Sequence, residues 1–121
     1  MIKNNSFICA GKNAFSGMKY FFLQERNGKI QLAIAAMVTA LSVAVQISTT
    51  QWLIELVCMA MVISLEMLNT ALENLCNLVQ EEYHPLIKIV KDVAAAAVLF
   101  TAIISVIIGL IIFLPKIISY L

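Results

Sequence analysis

Five polar residues recur along one apolar stretch of this chain: Glu66, Asn69, Thr70, Glu73 and Asn77. On a helix, at about 100° per residue, all five fall within an arc of roughly 100°. The other faces of the stretch carry Leu, Met, Val and Ala. A carboxylate held away from water is a good proton acceptor, and a second one about 10 Å along the axis can serve a cation. One Asn or Thr alone would read as a seal between packed helices. Two glutamates and two asparagines on one face read as a site, because ionisable groups inside apolar helices are costly.

A second polar set brackets the long uncharged runs. Glu25, Arg26 and Asn27 precede the first run, and Lys91 and Asp92 precede the last. With Glu73 they bring three carboxylates and two cations to one boundary, a set suited to a divalent cation and phosphate. Magnesium prefers a few carboxylates, waters and phosphate oxygens to a closed protein cage, and lysine neutralises phosphate. For Lys29 and Lys88, ordinary anchoring at an interface is the better account. His84, the only histidine, lies in a polar turn and alone would be a surface residue. Cys9, Cys58 and Cys76 are scattered, without metal or disulfide spacing. No Walker-type glycine loop occurs. Trp52 is expected to anchor an interface, and Glu55 to sit solvated beside it.

The elements that must position these residues follow from composition. The 121 residues are 62% hydrophobic with a mean hydropathy of +0.96, and only 12% are charged, against about a quarter in a soluble domain. Such a chain cannot hide its apolar surface as a soluble monomer. Disorder is excluded by the same numbers. Eight basic against seven acidic residues provide no field for nucleic acid. Residues 30–54 and 93–115 carry no charge, and a third apolar segment covers about 52–79. The expected fold is therefore all-α and integral to a membrane, a single domain over 1–121. Three transmembrane helices fall at about 30–48, 52–79 and 93–114, and residues 1–29 form an amphipathic surface helix.

Residues 48–51 read as an uncharged connector, and Pro85 marks a turn near His84. Residues 116–121 read as a short tail. No signal peptide pattern opens the chain. Lys3, Lys12, Lys19, Arg26 and Lys29 precede the first span, and Lys88 and Lys91 lie in the second connector. The N-terminus and second connector are thus expected to face the cytoplasm, with the first connector and C-terminus outside.

The stretch Glu66-Met67-Leu68-Asn69-Thr70-Ala71-Leu72-Glu73 resembles the ExxNTAxE signature of the small bacterial diacylglycerol and undecaprenol kinase family. Glu82-Tyr83-His84-Pro85 and Lys91-Asp92-Val93-Ala94-Ala95-Ala96-Ala97-Val98 resemble its second motif, and Glu25-Arg26-Asn27 its motif before the first span. The resemblance implies a bacterial inner-membrane lipid kinase that works as a homotrimer with sites shared between subunits. It implies transfer of the ATP γ-phosphate to a lipid alcohol, with magnesium. Glu66 takes the position of the catalytic base and Asn69 the asparagine beside the reacting centre. Glu25 and Glu73 take the metal-binding positions. Lys91 takes a phosphate contact and Asp92 a nucleoside contact, while Arg26, Asn77 and His84 fall among the nucleotide-facing residues.

Asn77 stands where the family commonly has aspartate, and Gln31 where it commonly has His or Glu. The motif strings look more like the undecaprenol kinase branch, with diacylglycerol as the alternative acceptor. Two readings of another class compete: a small proton-coupled transporter, which would leave the boundary charges without a role, and a non-catalytic membrane subunit glued by its polar stripe. Hydrolysis of ATP that depends on added lipid separates the kinase from both.

Overall fold

The computed structural model describes residues 6–79 and 82–121, and every regular element in it is helical. Lys3 and the connector residues Gln80 and Glu81 lie outside the described residues. Four helices follow one another: α1 (Ser6–Gln24), α2 (Arg26–Ala44), α3 (Thr49–Val79) and α4 (Pro85–Ser119). α2, α3 and α4 are each long and apolar enough to cross a membrane. Consecutive helices pack against each other, α1 on α2, α2 on α3 and α3 on α4.

Glu25 alone separates α1 from α2. Its backbone is extended, and its carbonyl accepts from Lys29 N–H at 3.1 Å, so it opens α2 through the backbone, with no side-chain cap. The corner is tight. A Cβ added at Gly28 would lie 1.8 Å from the Phe21 carbonyl oxygen, so only glycine fits there. Phe21 is buried in the same corner.

The α2–α3 connection is as long as the four-residue connector expected at 48–51 but falls three residues earlier, at 45–48. α2 stops at Ala44 in a Schellman turn: Gln46 N–H donates to Val43 O, and Ile47 N–H donates to Ser42 O, both at 3.3 Å. Gln46 takes the left-handed position, φ 57°, where glycine is usual. Ser48 then opens α3 through a reciprocal capping box. Its hydroxyl accepts from Gln51 N–H at 3.2 Å, and the Gln51 side-chain oxygen accepts from Ser48 N–H at 3.0 Å. Polar, uncharged residues that look like a loop are here the start of a helix. Val45, Ile47, Ile112 and Phe113 form the buried cluster of this end, with Val38, Trp52 and Ile108 against it. Lys116 Nζ donates to Gln46 O at 3.3 Å and ties α4 to the turn.

α4 is longer than its uncharged run. It begins at Pro85, where the absent N–H is an orphan position in any case, with the His84 side chain as N-cap accepting from Leu86 N–H at 3.1 Å. It continues through Pro115 to Ser119, so residues 116–119 are helix instead of tail. At 1.5 Å per residue, α2 measures about 28 Å, α3 about 46 Å and α4 about 52 Å. Only α2 matches a hydrocarbon core of about 30 Å.

Candidate functional site

The polar stripe lies on α3 where α2 covers it. Glu66, Asn69 and Thr70 are all buried, each 7% exposed. Asn27, in the first turn of α2, donates from Nδ2 to Glu66 Oε1 at 3.1 Å. That hydrogen bond fixes the carboxylate and leaves its other oxygen free for a second partner. Among the described residues, Asn69 Oδ1 and Thr70 Oγ1 have no hydrogen-bond partner. An unsatisfied buried polar atom costs about 1–3 kcal/mol, and a substrate hydroxyl placed there would recover part of it.

Further along α3 the stripe emerges. Glu73 and Asn77 are exposed. Lys91 Nζ donates to Asn77 Oδ1 at 2.7 Å, which bridges the end of α3 to the first turns of α4. Asp92 pairs with Lys88 at 2.6 Å, one turn apart on the exposed face of α4. A polar cavity of about 290 Å³ opens beside them, lined by Glu82, Tyr83, His84, Lys88, Lys91 and Asp92. Between α3 and α4 runs an apolar groove of about 470 Å³, lined by Leu72, Val93 and Ala97 among others, with Asn69 as its polar residue. The polar cavity and the apolar groove thus follow each other along the first half of α4.

Glu25 is half-buried and Arg26 exposed at the α1–α2 corner. A hydrogen bond to the Glu25 carboxylate, and its negative charge, raise the Tyr20 phenol above its ordinary 10.0. Of the residues expected at the site, Glu66 and Asn69 come together inside, and Lys91, Asp92, Asn77 and His84 gather at the polar end. His84 spends its Nδ1 on the cap. Among the described residues no three of His, Cys, Asp and Glu converge. Glu25 and Glu73 nonetheless offer the hard oxygen donors that magnesium takes in ones and twos, with phosphate and water completing its shell.

Asn27 is the residue that sequence reasoning missed as Glu66's partner. It stands in the Glu25-Arg26-Asn27 trio and is about as far before the turn at Gln46 as Glu66 is after it. In an antiparallel helix pair that equidistance places them at one level. Glu55 is the converse case. Expected solvated, it is 5% exposed, because α2 and α4 close over it.

Residues 12–113 match the family described as prokaryotic diacylglycerol kinase. The undecaprenol kinase of Bacillus subtilis (strain 168) is 40% identical over 111 residues, covering 92% of this chain and 87% of that protein. The diacylglycerol kinase of Synechocystis sp. (strain ATCC 27184 / PCC 6803 / Kazusa) is 36% identical over 115 residues, 94% of this chain and 66% of that protein. A match over nearly the whole apolar frame, carrying the stripe and both boundary motifs with it, makes this chain a member of the prokaryotic diacylglycerol kinase family.

Proposed function

We propose that the chain is a multi-pass membrane lipid kinase that transfers the ATP γ-phosphate to a lipid hydroxyl, with undecaprenol as the acceptor. The observation that carries this is the buried Glu66 carboxylate of α3, fixed by Asn27 of α2, with the far end of α3 tied through Asn77 to Lys91, which lines the cavity at the start of α4. Phosphoryl transfer needs position and charge neutralisation more than covalent chemistry. An apolar lipid and a charged nucleotide meet only at the membrane boundary, where such a site belongs.

In this reading Glu66 takes the hydroxyl proton as the oxygen attacks phosphorus. The Asn69 amide orients that hydroxyl. Lys91 exchanges its bond to Asn77 for phosphate oxygens, and Asp92 and His84 face the nucleoside from the turn, with Arg26 across from them. Glu25 and Glu73 would hold magnesium, which neutralises charge on the β- and γ-phosphates. The N-terminus and the 80–85 connector face the cytoplasm of a bacterial inner membrane, and α1 lies on its surface. Three copies assemble, as the family resemblance implies, with sites shared between them. Undecaprenol is favoured over diacylglycerol by the undecaprenol kinase's 40% identity and its coverage of both chains.

Radiolabelled ATP, offered with purified protein and each lipid alcohol in parallel, tests the assignment. Labelled undecaprenyl phosphate is expected; label in phosphatidic acid alone overturns the acceptor, and no lipid product overturns the kinase. Glu66→Gln is expected to lower turnover by about 10²- to 10⁴-fold, the usual worth of a general base, with assembly unchanged.

A further inference from the structure

A slot of about 290 Å³ runs between α2, α3 and α4, away from the polar cavity and the α3–α4 groove. Its walls are apolar, Ile34, Val62 and Phe113 among them, and three side chains bring polar atoms to it: Gln31, Glu55 and Ser105. Glu55 is 95% buried, and among the described residues its Oε1 has no hydrogen-bond partner. Among the described residues, no Lys, Arg or His lines the slot. A carboxylate in such surroundings needs a partner of opposite charge or a proton. Gln31 lies two turns, about 10 Å, along α2 from Val38, which packs on the cluster at the other end. The slot is therefore long and narrow, with the acidic group one turn of α3 beyond Trp52.

Three oxygen-bearing side chains spread along such a length do not make the shell of magnesium or calcium, which takes six or more oxygens together, and among the described residues no three of His, Cys, Asp and Glu converge here. They do suit a ligand with one positive, hydrogen-bond-donating end and a short apolar body. We propose that this slot binds a small monocationic amphiphile, an alkylammonium of roughly hexyl length, with the Glu55 carboxylate as counter-ion and the Ser105 hydroxyl as an available second acceptor. The ammonium end enters beside the α2–α3 turn, and the chain lies toward Gln31. The site is separate from Glu66 and does not rest on the kinase reading.

The chain has a single tryptophan, Trp52, packed on the cluster that includes the slot residue Phe113. It reports occupancy directly. The full-length protein in phosphatidylcholine nanodiscs is titrated with 3-bromohexylammonium, whose bromine sits near the charged end and quenches tryptophan at close range, and with the neutral 3-bromohexanol. Saturable quenching by the ammonium is expected, with only linear quenching by the alcohol, as for simple partitioning into lipid. Glu55→Gln should weaken the saturable phase at least tenfold. Gly109→Leu fills the slot from α4, at a position where an added Cβ meets nothing within 4 Å, and should abolish that phase with the fold intact by circular dichroism. Equal quenching by ammonium and alcohol overturns the proposal, since Glu55 is then a neutral, protonated core residue. Saturable quenching that survives either substitution at full strength overturns it too, by placing the amine elsewhere.

Discussion

Asn27 does for Glu66 what water would do for an exposed carboxylate: it supplies a donor, but in one fixed direction. A hydrogen bond to a charged group is worth about 1.5–3 kcal/mol. Asn27→Ala is therefore expected to lower kcat by roughly 10- to 100-fold and to leave the KM for ATP unchanged. Because Asn27 acts through Glu66, adding Asn27→Ala to Glu66→Gln should cost little more than Glu66→Gln alone; steady-state kinetics of the three variants check both. Tyr20 gives a second residue-scale test. Its hydrogen bond to Glu25 favours the protonated phenol, so its folded pKa lies above the unfolded 10.0. That contribution to stability is fully present below pH 10 and is lost as pH rises through the folded value. Glu25→Gln should bring the Tyr20 transition back toward 10.0 in a spectrophotometric titration in which Tyr20→Phe identifies the signal. Both partners of the Asn27–Glu66 pair were visible in the sequence as polar residues of interest. Their pairing was not, because it depends on where the α2–α3 turn falls, and that turn is set by an unexpected left-handed Gln46.

At the scale of elements, corners decide more than spans. The three long apolar helices are legible from hydropathy and charge placement alone, since lipid forces every backbone group in them to bond within the helix. Their ends are less legible. Ser48 and Gln51 look like loop residues by type and act as a capping box by spacing. Residues 116–119 look like a polar-tipped tail and remain helical past Pro115. The α1–α2 corner is fixed by Gly28, whose α-carbon faces the Phe21 carbonyl. Gly28→Ala forces α1 away from α2 at about 1–3 kcal/mol, the usual cost of overpacking. The expected readouts are a lower unfolding midpoint in denaturing detergent and faster tryptic cleavage at Lys12 and Lys19, with the α2–α3 cluster unchanged. No rate or stability change in Gly28→Ala would mean that the corner opens freely.

For the whole molecule the governing fact is unequal length. α2 is about 28 Å long, while α3 and α4 run to about 46 and 52 Å, and both long helices project beyond α2 on the side where Glu73, Asn77 and Lys91 lie. The apolar residues exposed along α3 and α4, Leu68, Leu99 and Ile111 among them, are what lipid tails or sister copies would cover. The expected spans at 30–48 and 52–79 already made the second helix longer than the first. That α4 also outruns the bilayer was not legible, because Pro85 and Pro115 look like breaks and instead open the helix and lie within it.

α2 is in effect a ruler. Both its ends are pinned, one by the glycine corner and the other by the Schellman turn that Lys116 holds from α4. Glu66 is graduated against it through Asn27. The protein can tilt in a thinner bilayer but cannot lengthen its ruler in a thicker one, so the depth of the carboxylate below the headgroups is a property of the lipid as much as of the chain. Turnover measured in phosphatidylcholine bilayers of increasing acyl length should pass through a maximum near a hydrocarbon thickness of about 28 Å. It should fall in thinner membranes, where water reaches Glu66, and in thicker ones, where the nucleotide no longer does. A rate indifferent to thickness would show that the copies surrounding each site, and not the membrane, set its depth.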